Sequence, residues 1–380
     1  MRVTAIATHP EVSPSTRFRM HQFRDALAGR GIELRYDFLF GVEEYGRLRS
    51  GGGVASRARG LTGALRARVR RLEAADLGDV VWVSRALAPI GAGRILDCLR
   101  GRGVPVVADF DDAVFLPPAG GSRWLGPLRR PGRAFADLCR ASSVVLTGNS
   151  YLADAARDAV GVGEPMDVRI LPTVVDTNRY RPMERATSSS LTVGWVGSHT
   201  TLPYLWARRA VFQELAREVP FALRVVSDSP PPPMPGVDVE FHRWTPATEV
   251  TAFHGIDLGV YPLPDDAWSR GKCGLKAIQY GACGVPVVAS PVGVLRDVVV
   301  PEETGLWAES DPEWVEAMKR ILGDPAAIES MGRNARAWIE DRYSLVSALP
   351  VLEAGLRDGA RCSFGSLPVG ETPCAASPGY

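Results

Sequence analysis

The chain has 380 residues, 46% of them hydrophobic, and a formal net charge of +1. That length holds a large core and argues for two domains rather than one. The near-neutral balance gives no overall pull toward nucleic acid, and no apolar run approaches the roughly 20 residues of a membrane span.

The opening MRVTAIATHPEVSP has a short apolar stretch before polar residues and prolines, so it reads as a first strand and not as a signal peptide. PSTRFRMHQ (14–22) follows where a phosphate or acceptor loop would lie. Arg17 and Arg19 are two apart and cannot both face inward on a helix; Arg17 is the better candidate for the acceptor side. IELRYDF (32–38) reads as a second strand. Eight arginines then lie between Arg47 and Arg71, with no acidic residue from Tyr45 to Leu72. Such a run suits an anionic membrane surface or a phosphate-bearing acceptor, although a solvated loop and helix is the favoured reading. DVVWVSR (79–85), a helical IGAGRILDCLRGR and the run GVPVVA lead into DFDDAVF (109–115). The carboxylates of Asp109, Asp111 and Asp112 admit three readings: a site for a hard divalent cation, a catalytic pair, or a solvated loop in which one aspartate caps a helix. SSVVLTG (142–148) and DVRILP (167–172) complete the strands of the first half.

RPMERATSSS (181–190) has the composition of a linker. Beyond it, LTVGWVG (191–197), FALRVVS (221–227), VDVEFH (237–242) and IDLGVYPLP (256–264) read as strands, followed by the helical GKCGLKAIQYGAC. PEWVEAMKRIL and AAIESMGRNARAWIEDRY are amphipathic helices, and residues from about Gly359 read as a loose tail. Six cysteines (98, 139, 273, 283, 362, 374) form no C-x-x-C pair, as expected of reduced thiols in a cytoplasmic protein.

The chain echoes itself. GVPVVA occurs at 103–108 and again at 284–289, each copy preceded by an apolar strand, a loop and a helix. Continuous apolar strands are covered on both faces, as in parallel sheets, and strand–helix–strand is the βαβ unit. Two such units half a chain apart predict two α/β, doubly wound, Rossmann-like domains. Ligands of such sheets lie at the C-terminal strand ends, so DFDDAVF and SRGKCGLK would both open onto the cleft between the domains.

GWVGSHTTLPYL, WSRGKCGLKAIQYGACGVPVVASPVG, ILPTVVDTNRYRP and MGRNARAWIEDRYS, in that order, resemble the retaining glycosyltransferases of family four, which have the GT-B fold. The likeness is dense from about 140 to 345. It implies an acceptor-side domain at 1–185, a nucleotide-sugar domain at 186–345, a helix at 346–358 crossing back to the first domain, and a tail at 359–380. It implies a metal-independent transfer without cofactor, from a nucleoside-diphosphate sugar (UDP ahead of GDP) to a glycan, lipid-linked or small-molecule acceptor. Metal ligation by Asp-x-Asp, which belongs to the other major glycosyltransferase fold, is then disfavoured, while Asp109 and Asp112 remain candidates to contact acceptor hydroxyls or the transferring sugar.

Without a metal, charge developing on a departing diphosphate must be met by cations and helix N-terminal amides. SRGKCGLKAIQYG supplies Arg270, Lys272, Lys276 and a helix opening near Gly274; Lys276 is the preferred phosphate contact. The family carries two glutamates here. Gln279 stands at the second and would still bond ribose hydroxyls, whereas Gly271 at the first has no carboxylate for the donor sugar. Gly197 and Ser198 match the family's glycine turn, Gly293 the turn after the second GVPVVA, and Arg243 or Trp244 the approach to the base. The cations usual after the glycine turn are replaced by HTTLPYL, with His199 as a substitute or an ordinary loop residue. A nicotinamide oxidoreductase would need a G-x-G-x-x-G turn that neither first strand provides. A nucleotide-sugar epimerase or hydrolase and a nonenzymatic two-lobed binding protein are the remaining alternatives.

Overall fold

The computed structural model describes residues 1–50, 54–117, 130–161, 166–183 and 191–362, with the side chains of 47–50 and 54–58 set aside. Its first domain is a parallel sheet of β1 (Arg2–Ala7), β2 (Glu33–Phe38), β3 (Val80–Ser84), β4 (Val106–Phe110), β5 (Val144–Thr147) and β6 (Val168–Ile170), in the order β2-β1-β3-β4-β5-β6. The second repeats the plan with β7 (Leu191–Val196), β8 (Phe221–Ser227), β9 (Asp238–Arg243), β10 (Leu258–Tyr261), β11 (Val287–Ala289) and β12 (Gly305–Trp307), in the order β12-β11-β10-β7-β8-β9.

Burial on both faces explains the unbroken apolar runs. Along β3, Val80 and Trp82 enter one core cluster while Val81 and Val83 enter another on the opposite face. The GVPVVA echo also has a local cause. Gly103 and Gly284 hold φ of 64° and 72°, the left-handed turn that ends a helix before β4 and β11. β12 is a three-residue edge strand, too short to show a period of two in the sequence.

The helix Leu345–Ala360 crosses back and packs on β3, β4 and β5 of the first sheet. Its register is held by Arg169 Nη2 to Asp358, 2.8 Å, and Ser143 Oγ to the Gly359 carbonyl, 3.2 Å. Gly359 and Ala360 are therefore helical, and Gly359 is buried, where the sequence suggested the start of a tail; 363–380 and the linker residues 184–190 lie outside the described residues. Where the chain leaves the first domain and where it returns, the two crossings touch. The Val175 N–H donates to the Tyr343 carbonyl at 3.0 Å, and the Leu345 N–H donates to the Val175 carbonyl at 3.2 Å.

The basic stretch divides. In the helix Val54–Ala74, Arg68 is fully buried and donates to Asp37 Oδ1, the Ala7 carbonyl and the Leu87 carbonyl at 2.6, 2.6 and 2.7 Å; burial brings its pKa down to about 10. Arg71 joins it on Asp37 at 2.8 Å. These two arginines brace the ends of β1 and β2; Arg71 is itself exposed, as are Arg59, Arg66 and Arg70, while the side chains of Arg47, Arg49 and Arg57 lie outside the described residues. No helix among the described residues is long and apolar enough to cross a membrane.

A Cβ on Gly359 would stand 2.4 Å from Val107 Cγ2. In an open helix Gly→Ala gains up to about 1 kcal/mol; here a stiff β-branched neighbour must move instead, and overpacking costs about 1–3 kcal/mol. Gly359→Ala is therefore expected to lower stability by that amount in urea unfolding; a gain would show that the returning helix is not docked on β4.

Candidate functional site between the two domains

Asp109 is the fourth residue of β4 and fully buried. Its two oxygens receive a forked pair from Arg19, with Nε at 3.1 Å and Nη2 on the other oxygen, while Arg19 Nη1 donates to the Leu171 carbonyl at 2.8 Å. The expectation that Asp109 contacts acceptor or sugar is corrected on this ground: its carboxylate faces the interior and is consumed there. The preference for Arg17 over Arg19 as the inward arginine needs the same revision. Their helix, Pro14–Arg19, is only six residues long and both side chains leave it inward, Arg19 into the first domain and Arg17 across to the second.

Asp111 and Asp112 clamp Arg85. Arg85 Nη2 donates to Asp112 Oδ2 at 3.0 Å and Nη1 to Ser15 Oγ at 2.7 Å, while Nε lies 3.4 Å from Asp111 Oδ1. The other Asp112 oxygen accepts from the Ala113 N–H at 3.1 Å. Burial raises the Asp112 pKa, and Arg85 and Lys272 pull it back down. Asp112 thus stands at the cleft edge between a cation of each domain. The Asp-x-Asp oxygens are directed at arginines, and among the described residues no three His, Cys, Asp or Glu side chains gather as metal ligands.

Across the cleft, Gly274 takes φ 66° and opens the helix Leu275–Ala282. Lys276 sits in its first turn, half-buried, with Nζ donating to Gln279 Oε1 at 2.8 Å and lying 5.7 Å from the Phe253 ring centre. Burial lowers its pKa to about 8, with Glu249 opposing and Arg17 reinforcing the fall. Gln279 is fully buried, and its amide N–H donates to Tyr180 Oη at 2.8 Å. Both ends of that amide are used inside the protein, so the ribose role expected of Gln279 is corrected; it buttresses Lys276 instead. Tyr180 in turn belongs to a run of rings crossing the domain boundary, Phe18–Tyr180–Phe253–Tyr280, with centres 6.3, 6.1 and 5.1 Å apart.

Arg17 Nη2 meets Glu249 Oε1 of the second domain at 2.5 Å, and Arg179 lies 3.9 Å from the other oxygen. Glu249 is only 2% exposed. A buried carboxylate between Arg17, Arg179 and Lys276 fixes the sign of the charge at the base of the cleft.

The remaining expected donor residues lie on loops at the C-terminal strand ends. Gly197 is required by packing, since a Cβ there would stand 2.3 Å from the Trp195 ring. Ser198 bonds within its own turn, its Oγ 2.7 Å from Thr200 Oγ1. His199 is held by Asp228, with its N–H at 2.7 Å and Nδ1 at 2.8 Å. Arg243 is exposed and donates to the Asp228 carbonyl at 3.0 Å, while Trp244 is half-buried against the core. Lys272 lies 5.7 Å from the Trp268 ring centre. Arg270 turns outward onto Asp265, with Nε at 2.6 Å and Nη2 at 3.0 Å, so as placed it does not line the cleft. Gly293 takes φ 54°, which favours glycine, and a Cβ there would also press on the Arg270 backbone at 2.8 Å.

The two walls also meet at the loops beyond the strand ends. Asn149 caps the helix Ser150–Val160 and donates across the cleft to the Lys272 carbonyl at 3.0 Å; Cys273 Sγ donates to the Asp111 carbonyl at 3.1 Å. A Cβ on Gly148 would strike Cys273 Sγ at 2.1 Å, and one on Gly271 would strike Ala113 Cβ at 2.5 Å. Gly271 lacks a carboxylate and also leaves no room for one in this closed arrangement.

Residues 190–324 match the family model described as Glycosyl transferases group 1. That match lies within the second domain and makes it similar to a group 1 glycosyltransferase domain. Over 97 residues it is 41% identical to a D-inositol 3-phosphate glycosyltransferase of Gordonia bronchialis, covering 25% of this chain and 20% of that protein. The chain thus matches about a fifth of that relative's length. Among solved structures, sucrose-phosphate synthase from Thermosynechococcus elongatus superposes with a TM-score of 0.68 at 16% identity, over 95% of this chain and all of that one. Anabaena HepE in complex with UDP and glucose gives 0.62 at 14% identity, over 94% and 99%. Both likenesses are of fold: two Rossmann-like domains in the GT-B arrangement.

Arg85, Asn149, Tyr180 and Glu249 shape this site and were not singled out, and Arg19 was set aside in favour of Arg17. Asn149 had a visible signal, an N-cap residue between a strand and a helix. The others act through partners 27 to 232 residues away, which no local pattern reports.

Asp109→Asn would leave the Arg19 charge buried without its counterion, a change that costs about 3–5 kcal/mol in comparable pairs. The expected outcome is a large loss in denaturant midpoint. A variant as stable as the parent would return Asp109 to the list of groups open to substrate.

Proposed function

We propose that the protein transfers a glycosyl group from a nucleoside-diphosphate sugar to an acceptor hydroxyl, without a metal and with retention at the anomeric carbon. The observation that carries this reading is Lys276, a half-buried ammonium on the first turn of a helix whose amino end abuts the cleft of a domain similar to group 1 glycosyltransferases. Retention and metal independence rest on the family resemblance. UDP is the favoured nucleotide; the UDP and glucose bound by the similarly folded HepE support it.

In the proposed step the bond between the anomeric carbon and the diphosphate oxygen breaks, and its electron pair stays on the diphosphate. The sugar becomes oxocarbenium-like, as in other glycosyl transfers. The acceptor oxygen attacks from the face the diphosphate leaves, and its proton passes to the departing phosphate oxygen. Lys276 and the amides at the start of its helix meet the growing negative charge. Gln279 and Tyr180 hold the lysine in place. Lys272 and Asp112 stand where the two substrates would meet, and Arg17 lines the acceptor side.

Low solvation makes Lys276 responsive. Its charge is present below about pH 8 in the empty protein and is lost above it. A bound diphosphate favours the charged form, so binding above pH 8 must take up a proton, and affinity should fall by up to about tenfold per pH unit. Titrating UDP between pH 6.5 and 9.5 should show this decline in the parent and not in Lys276→Met; a flat parent profile would remove the lysine from the phosphate site. Lys276→Ala should also lower turnover by about 10²–10³-fold with folding intact, and near-normal turnover would exclude it from the mechanism. Activity should persist in excess chelator; loss restored by manganese would overturn the metal-free reading.

A further inference from the structure

A cavity of about 470 Å³ opens beside Arg85, between the helices Ala92–Gly101 and Pro131–Ala141 of the first domain. That is within the range of about 300–1,000 Å³ typical of small-molecule sites. Leu87, Ile90, Leu96, Val114, Leu116 and Phe135 form its apolar surfaces. Phe135 is itself fixed between Phe110 and Phe115, with ring centres 4.6 and 5.1 Å away. Among the described residues the second domain contributes Trp268, whose ring also faces Lys272 at 5.7 Å. Two of its lining residues reach the cleft: Arg85 donates to Asp112, and the Trp268 ring faces Lys272.

The chemistry of these walls is selective. The guanidinium of Arg85 is already committed to Ser15, Asp111 and Asp112. At the outer rim Arg133 lies 3.6 Å from Asp137. Arg130, also on the lining, is exposed; among the described residues the inner walls are hydrocarbon and aromatic, so a carbohydrate body buried there would leave hydroxyls without partners, a penalty an apolar body avoids. We infer that this cavity is the acceptor subsite and that the acceptor is an apolar hydroxyl compound, its hydrocarbon or aromatic body held against Phe135 and Trp268 and its hydroxyl presented toward Asp112 and Lys272. The inference rests on the transferase reading above and names the substrate class for it. Two sources share this chemistry, a compact aromatic alcohol and the chain of a lipid.

Gly93 lies at the mouth of the cavity, exposed, with nothing within 4 Å of an added Cβ, so Gly93→Arg blocks entry without disturbing the core. Ile90→Asp changes the polarity of one half-exposed wall. The full-length parent and both variants would be titrated calorimetrically with 2-naphthol and, separately, with 1-octanol. A thermal-shift series with UDP and GDP would run in parallel. Saturable binding of either probe, weakened at least tenfold in both variants while the nucleotide shift is unchanged, is the expected result. Naphthol alone assigns the compact aromatic source, and octanol alone the lipid chain. Binding of neither probe, or equal binding by parent and variants, would overturn the subsite. A missing nucleotide shift with intact probe binding would sink the transferase reading and leave the apolar cavity standing.

Discussion

The buried pair between Arg19 and Asp109 is the constraint on which the cleft is built. A forked guanidinium–carboxylate contact with almost no exposure joins the segment after β1 to the end of β4. The same arginine also holds the Leu171 carbonyl beyond β6. Once that pair forms, the chain beyond Asp109 has one path. Asp111 and Asp112 are delivered to Arg85, itself held at φ 64° on the neighbouring strand end. The rim so produced is what the loop before the Lys276 helix rests upon. A buried pair of this kind adds little net stability compared with apolar packing; what it does here is tie the segment after β1 to the ends of β4 and β6.

The same reasoning accounts for the glycines at the domain boundary. Gly148 and Gly271 are placed where any side chain would hold the walls apart. Close backbone approach lets Asn149 reach carbonyls on the opposite loop and lets Cys273 reach Asp111. The rim at Asp111 and Asp112 and the helix opening at Gly274 are positioned by these few short contacts.

Much of the fold was legible because burial on both faces writes itself as unbroken apolar runs, and because the repeated GVPVVA marks the same turn and strand in both halves. Edge strand β12 escaped for want of length. Within the site, the position of Lys276 on the first turn of a helix opening at Gly274 was legible from the glycine, the basic residue and the apolar remainder. DFDDAVF was not, since the meaning of each aspartate is set by an arginine elsewhere in the chain. Gln279 looked available for a ribose from its match to the second glutamate of the similar family; its engagement with Tyr180 depends on a ring from before the linker. Arg19 was set aside by a helical-spacing rule that a six-residue helix is too short to enforce.

The touching crossings at Val175 and Tyr343–Leu345 give the two lobes a common spine. A single tether would leave them free to swivel and slide. Two tethers bonded side by side leave chiefly one freedom, turning about the line that joins them, like the covers of a book. Displacement then grows with distance from that line, so a modest rotation acts most on contacts far from the spine and least on the aromatic run beside it. The returning helix is therefore a mechanical part: by bringing the second tether back beside the first, it reduces the relative motion of the sheets to opening and shutting.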